Sequence, residues 1–205
     1  MSARSRTLLA FLAALLGLGG CAGAAGLDVR YPEAAANRAL LASVTSRRVE
    51  IQPVTDGRIE VSRIGVQVEK KKNKDVVTAR PVTDVVHDAL AVEVGKNGHA
   101  VVAERGDIVL AANVEDFWID VVRSYSTTQY VGKVAIALIV LDGRTGDQLV
   151  SRRYVGIKRR QVDKASDDAA REVMDAALAR SMHDLATDRA LIAAFSGARA
   201  DATPR

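Results

Sequence analysis

The chain of 205 residues holds a single cysteine, Cys21, and three histidines, His87, His99 and His183. One thiol excludes a disulfide within the chain, so the fold must rest on its apolar core. No two histidines stand at metal-ligand spacing and no second cysteine exists, so no metal site and no cofactor are expected. Aromatic residues make up 4% of a chain that is 48% hydrophobic, so the core must be aliphatic. The chain has no nucleophile elbow, no Walker-type loop and no dinucleotide fingerprint. A catalytic pair cannot be picked from its scattered carboxylates either. These absences make a non-enzyme the expectation. A large charge excess is missing too: 29 basic residues face 25 acidic ones, and without residues 1–20, which hold Arg4 and Arg6, the net charge is +2.

What is present starts at the N-terminus. Arg4 and Arg6 precede an apolar run from Leu8 to Leu18, and Leu18-Gly19-Gly20 leads into Cys21. Charged start, apolar middle and small residues at a cut site are the three parts of a secretory signal. The run is about half of the roughly 20 residues a membrane-spanning helix needs. Leu18-Gly19-Gly20-Cys21 resembles the lipobox of bacterial lipoproteins, and this resemblance implies cleavage before Cys21 and acylation of its sulfur. A chance cysteine behind an ordinary signal peptide is the competing reading. It would leave an unpaired thiol in an oxidising compartment, an oddity that lipidation removes. Ala22, where such lipoproteins carry aspartate for inner-membrane retention, points to the outer membrane. Export also makes nucleic acid a poor partner for the basic runs.

Four segments follow: a signal peptide at 1–20, a lipid-anchored tether and N-terminal arm at 21–46, a single periplasmic domain at 47–196 and a disordered tail at 197–205. Residues 22–30 read as a small-residue tether, and Tyr31 to Val44 as either a weak helix or an extended arm. Val49 to Val54 alternates and predicts a strand. Ile59 to Val68 is a strand or a structured loop, and Glu69 to Asp75 a solvated loop. Pro81 to Val94 predicts a helix through Val82, Val85, Val86, Ala89 and Leu90 on one face. His99 to Ala103 is a short strand. Asp107 to Val122 is a long strand whose apolar phase changes between Val114 and Phe117, which predicts a bulge near Glu115-Asp116. Tyr130 to Leu141 is apolar on both faces in its second half and reads as a central strand. After the Asp142 to Asp147 turn, Gln148 to Arg160 returns with Leu149, Val155 and Ile157 inward. A second helix spans Ser166 to Ala186, with Ser166 capping it, and Asp188 starts a short helix from Arg189 to Phe195. The expected fold is a two-layer α+β domain: a mixed, mostly antiparallel sheet of about four to five strands, with two main helices on one face.

Each candidate site has a plain competitor. Lys70 to Lys74 can meet anionic lipid headgroups, but a charged solvated loop is the simpler reading. Arg152, Arg153, Lys158, Arg159 and Arg160 lie on one strand and spread over both faces, and on an edge strand they would discourage aggregation. His87 sits between Asp84 and Asp88 as an exposed side chain, His99 at a strand start, and His183 near a helix end. Of Phe117 and Trp118, both closing the core is preferred to one standing exposed as a binding anchor.

The order of Leu18-Gly19-Gly20-Cys21, the Val82 to Gly98 helix ending, Tyr130-Val131-Gly132-Lys133-Val134-Ala135-Ile136 before the Asp142-Gly143 turn, and Ser151-Arg152-Arg153-Tyr154-Val155-Gly156 resembles the YajG-type bacterial outer-membrane lipoproteins. More loosely, it is similar to the auxiliary lipoproteins of ABC transport systems. The resemblance implies no catalytic residues. It implies a protein held to the periplasmic side of the outer membrane through acylated Cys21, serving an envelope protein partner as an accessory or binding module in envelope maintenance or transport. The alternative is a component that binds lipid or a small molecule for an ABC-type system. An envelope hydrolase using His and Asp or Glu is the remote third.

Overall fold

Among the described residues of this computed structural model, 26–32, 39–69 and 72–197, the chain forms one eight-stranded sheet and three α-helices. Residues 1–20, Cys21, the tether as far as residue 25, residues 33–38, Lys70, Lys71 and the tail from 198 lie outside the described residues. The strands are β1 (Arg48–Ile51), β2 (Thr55–Asp56), β3 (Gly65–Glu69), β4 (Lys72–Val76), β5 (Ala100–Val102), β6 (Ile108–Arg123), β7 (Thr128–Asp142) and β8 (Gln148–Val162). The helices are α1 (Val82–Lys96), α2 (Asp167–Thr187) and α3 (Arg189–Phe195), with a 3-10 turn at Leu40–Ser43.

The three long strands β6, β7 and β8 form an antiparallel meander. Along the other edge of β6 run β1, β2 and β3, one after another and all parallel to it. β5 pairs in parallel outside β1, and β4 pairs antiparallel outside β3. Eight strands replace the expected four to five. The shortfall has a physical cause: β2 has two residues, and β4 is solvent-exposed along nearly its whole length. Such a strand needs backbone hydrogen bonds but no apolar alternation, so Lys72 to Val76 read as a loop and is an edge strand. Its lysines suit an edge that must not recruit another strand.

The expected bulge is present, with the β6–β7 register shifting between Val114 and Asp116. It turns Phe117 into the core, fully buried, and sends Trp118 to the opposite face. β8 differs from expectation. Val150, Tyr154 and Gly156 face the helices, while Val155 and Ile157 face away. Val140 pairs with Val150 but Leu141 with Gln148, so Leu149 is an extra residue in its strand. A phase counted from Leu149 is therefore off by one beyond it.

α1 and α2 cover one face. Val82, Val85, Val86, Ala89 and Leu90 are buried on α1, and Ala169 through Leu185 form the expected stripe on α2. Ser166 Oγ accepts the Ala169 amide at 3.1 Å, and Asp188 Oδ1 accepts that of Ala190 at 2.8 Å, capping α3. Gly156 lets the α2 backbone come close: a Cβ there would lie 1.8 Å from the Ala177 carbonyl oxygen.

The segment before β1 is not a free tether over its described length. Leu27 bridges to Thr78 and is buried with Val29. Arg30 N–H donates to Asp175 at 2.8 Å. The Tyr31 hydroxyl donates to buried Glu93, and Lys96 Nζ lies 2.6 Å from both partners. Asn97 donates to Glu93 Oε1 at 3.0 Å and accepts the Ala39 amide at 2.9 Å. A buried carboxylate is tolerable here because cation and donors surround it.

Candidate docking face

The face of the sheet away from α1 and α2 presents Trp118, Lys133 and Ile157 in one cross-strand row, and Asp116, Ala135 and Val155 in the next. The bulge in β6 sets this arrangement, because it brings Glu115, Asp116 and Trp118 together beside the loop that follows β2. The Trp118 indole N–H donates to Asp120 Oδ1 at 2.8 Å, which orients the ring. Lys133 Nζ pairs with Asp116 at 2.8 Å and Arg153 pairs with Glu115, so the carboxylates at the bulge are held by cations from β7 and β8.

Across from Trp118 stands a loop braced by Arg58. Its guanidinium grips Asp56 in a fork, Nε to Oδ1 at 2.9 Å and Nη2 to Oδ2 at 2.8 Å. It also donates to the carbonyls of Val61 at 3.1 Å and Arg63 at 3.2 Å. The Arg58 side chain is only 6% exposed, and its hydrogen bonds hold the Asp56 carboxyl below the usual carboxylate range. The brace displays Ile59 fully to solvent, at 101% relative exposure. Between loop and bulge lies a cleft of about 380 Å³, bounded by Ile59, Glu60, Glu115 and Trp118. Exposed aliphatic and aromatic groups with a polar rim can bind another surface. The cleft contains no nucleophile beside a base.

The sequence weighed Phe117 and Trp118 as a pair, and the structure separates them: Phe117 is core, Trp118 is at the cleft. Ile59 and the Arg58 brace were missed. Their signal is the Asp56-Gly57-Arg58 spacing, which reads from sequence only as a turn. The five basic residues of β8 divide between the faces as expected: Arg152 pairs with Asp188 and Arg160 with Glu172 on the helix side, and Arg153 with Glu115 on the other.

The histidines lie apart. His87 is on α1, 3.7 Å from Asp88 and half-buried, and His183 is exposed on α2. His99, expected at a strand start, is buried there. Its Nδ1 accepts the Arg47 amide at 3.2 Å, so Nε2 carries the proton and donates to the Leu41 carbonyl at 3.3 Å. Phe195 meets its ring edge-on at 5.0 Å, and burial lowers its pKa. Among the described residues, no three His, Cys, Asp or Glu side chains group to hold a metal. No helix among them is long and apolar enough to cross a membrane.

A two-layer α+β domain with one helix-covered face defines the class. No protein-family model matches the chain, and no curated protein matches it in sequence. Among solved structures, it is similar to protein XCC0632 from Xanthomonas campestris, of the DUF330 family model, with 18% identity, a TM-score of 0.57, and coverage of 75% of this chain and 89% of that one. The two share a fold. Weaker likenesses are to a lipoprotein from Caulobacter crescentus CB15 (12% identity, TM-score 0.40, 80% and 95% covered) and a minor lipoprotein from Acinetobacter baumannii (11%, 0.38, 68% and 91%).

Proposed function

We propose that the protein is a lipid-anchored lipoprotein of the outer membrane, facing the periplasm. In this reading it works as a non-enzymatic binding module, holding an envelope protein partner in envelope maintenance or transport. The observation that carries the binding role is the braced display of Ile59 across a cleft from Trp118. A fully exposed isoleucine on a loop fixed by a buried arginine fork costs little ordering entropy when a partner covers it. The fold shared with XCC0632 and the Leu18-Gly19-Gly20-Cys21 sequence support the family-level reading, of which the YajG type is the finer form. The alternative, a carrier of lipid or a small molecule between sheet and helices, lacks support: Phe117, Leu90, Met174 and Leu178 fill that layer, all fully buried.

Two experiments test the proposal. A photo-crosslinking residue at position 59, in intact cells, should capture one discrete envelope protein. Trp118→Ala should weaken that capture without lowering the amount of folded protein, and no capture at 59 or 118 refutes the docking role. Labelled palmitate should enter the wild type and not Cys21→Ser. Absence of label on the wild type refutes the lipoprotein reading.

A further inference from the structure

We infer that the end of the sheet where β3 and β6 finish and β4 and β7 begin rests on the lipid headgroups of the membrane that holds the anchor, with Tyr125 seated among them. The inference rests on the reading of Cys21 as the acylated residue.

The strand registers place these strand ends together. β3 runs parallel to β6 with Gly65 opposite Ile119, so both strands end at the same level. Arg123 pairs with Thr128, and Thr128 with Val162, so β7 begins and β8 ends there too. The opposite end carries the β7–β8 turn at Arg144. At roughly 3.4 Å per residue, β7 separates the two ends by about 50 Å.

The arm enters the domain beside this end. Leu27 bridges in parallel to Thr78 and shares a small cleft with Gln67, Lys74 and Asp167. From Thr78 back to Lys72, the first residue of β4, is about 20 Å of strand. The chain from Gly26 to Cys21 spans at most about 18 Å when fully extended. Because the bridge is parallel, the chain leading back from Leu27 heads the same way as β4 leading back toward Lys72. Extended along that heading, a chain of this length brings Cys21 level with the Lys72 end of the sheet and so brings this end to the bilayer. Leu27 and Val29 are buried, so the arm lengthens the tether only by giving up core contacts.

The chemistry of this end fits that position. Tyr125, at the β6–β7 tip, is 108% exposed, and Val122 and Val68 are exposed behind it at 56% and 54%. An amphipathic ring of this kind is favoured at the headgroup level. Arg123 lies beside it, and exposed Lys72 and Lys74 add positive charge on β4, two strands away, which anionic headgroups attract. Two carboxylates stand among these cations, Asp167 in the cleft with Lys74 and Asp163 beside the β6–β7 tip, so the ring and the exposed valines carry the contact and the lysines assist it.

The lone cysteine makes the test clean, because once Cys21 is acylated an introduced thiol is the only free one. The full lipidated protein carrying Tyr125→Cys or Arg144→Cys is labelled with an environment-sensitive fluorophore. It is then placed in phosphatidylethanolamine–phosphatidylglycerol vesicles that contain a headgroup nitroxide quencher. The probe at 125 should be quenched several-fold more than the probe at 144. Replacing Lys72 and Lys74 by glutamate should reduce quenching at 125. Equal quenching at both sites, on protein that floats with the vesicles and carries acyl chains on Cys21 by mass, overturns the orientation and leaves the anchor standing. An unacylated Cys21 overturns the anchor itself. Absent quenching at 125, with crosslinking of that site to a protein in cells, overturns the inference in favour of a protein contact.

Discussion

Gly156→Ala adds one methyl group where α2 lies on the sheet, and the structure says what it would strike. The new Cβ would lie 1.8 Å from the Ala177 carbonyl oxygen, 2.7 Å from the Ser181 nitrogen and 2.9 Å from the Ala177 carbonyl carbon. Carbon and carbonyl oxygen approach to about 3.3 Å at closest, so α2 must back away from β8 by roughly 1.5 Å. The obstacle is helix backbone, which cannot rotate aside as a side chain can. Ala177, Leu178 and Met182, fully buried, would all lose contact, since a gap of 0.5–1 Å already forfeits about a quarter to a half of each dispersion well. The expected cost is about 3 kcal/mol, the upper part of the range for overpacked cores. At about 2–4 °C per kcal/mol for a domain of this size, the thermal midpoint should fall by roughly 6–12 °C. Two other glycines calibrate the result. A Cβ at Gly132 would meet Val173 Cγ1 at 2.9 Å, Met174 Sδ at 3.0 Å and the Val173 carbonyl oxygen at 3.1 Å. The two side-chain atoms can yield and the carbonyl is far less crowded than that of Ala177, so Gly132→Ala should cost only about 1 kcal/mol. Gly95 lies exposed in α1 with nothing within 4 Å, so Gly95→Ala should raise stability by about 0.8–1 kcal/mol through helix propensity alone. Calorimetry on the three variants beside the wild type reads the series directly. A Gly156→Ala midpoint within about 2 °C of wild type would mean that α2 is not seated on β8 as described.

Tyr31→Phe removes the hydroxyl that links Glu93 and Lys96, at a cost of about 1.5–3 kcal/mol for a hydrogen bond to a charged group. Limited proteolysis should cut the arm faster in the variant, and unchanged cutting would show that the clasp does not hold it. His99, whose pKa burial lowers from 6.5, binds a proton more readily unfolded than folded. Its contribution is therefore fully present above about pH 6.5 and is lost as pH falls from there toward the lowered folded value. Urea midpoints measured between pH 7.5 and 5 should decline in the wild type and decline less in His99→Gln. Equal slopes would remove His99 as the source.

The parts legible in the sequence are those with a buried side and an exposed side. β6 and α2 announce their faces because each residue is either core or solvent, and the phase change between Val114 and Phe117 located the bulge for the same reason. β4 has no buried face to report, so its pattern is indistinguishable from a charged loop until Gln67 and Lys74 are seen paired. In β8 Leu149 is the one residue that does not keep step, and a phase counted from it turns Val155 and Ile157 inward. Gly156 then hid the correct phase further, since the inward position where α2 comes closest carries no side chain. The Ile59 display was unreadable for another reason: Arg58 secures it through the carbonyls of Val61 and Arg63, and any residue types supply carbonyls.

The arm shows how local composition misleads about reach. Leu27, Val29 and Tyr31 alternate as a strand would, but alanines and glycines upstream gave the whole segment the look of a loose linker. Packing turns it into the opposite. Leu27 hydrogen-bonds through its amide to the Val77 carbonyl at 2.8 Å and through its carbonyl to the Ala79 amide at 2.9 Å, and Tyr31 is clasped by Glu93 and Lys96. Every residue so fixed is subtracted from the tether. Had residues 22–46 all been free, the domain could stand up to about 80 Å from its anchor and take any orientation. With the chain held from Leu27 onward, the proposed anchor at Cys21 is at most about 18 Å from Gly26, which confines the orientations open to the domain. In the proposed orientation the distance from the membrane is set by the buried contacts of Leu27, Val29 and Tyr31, and loosening the Tyr31 clasp should raise the mobility of Tyr125 at the surface before it unfolds the domain.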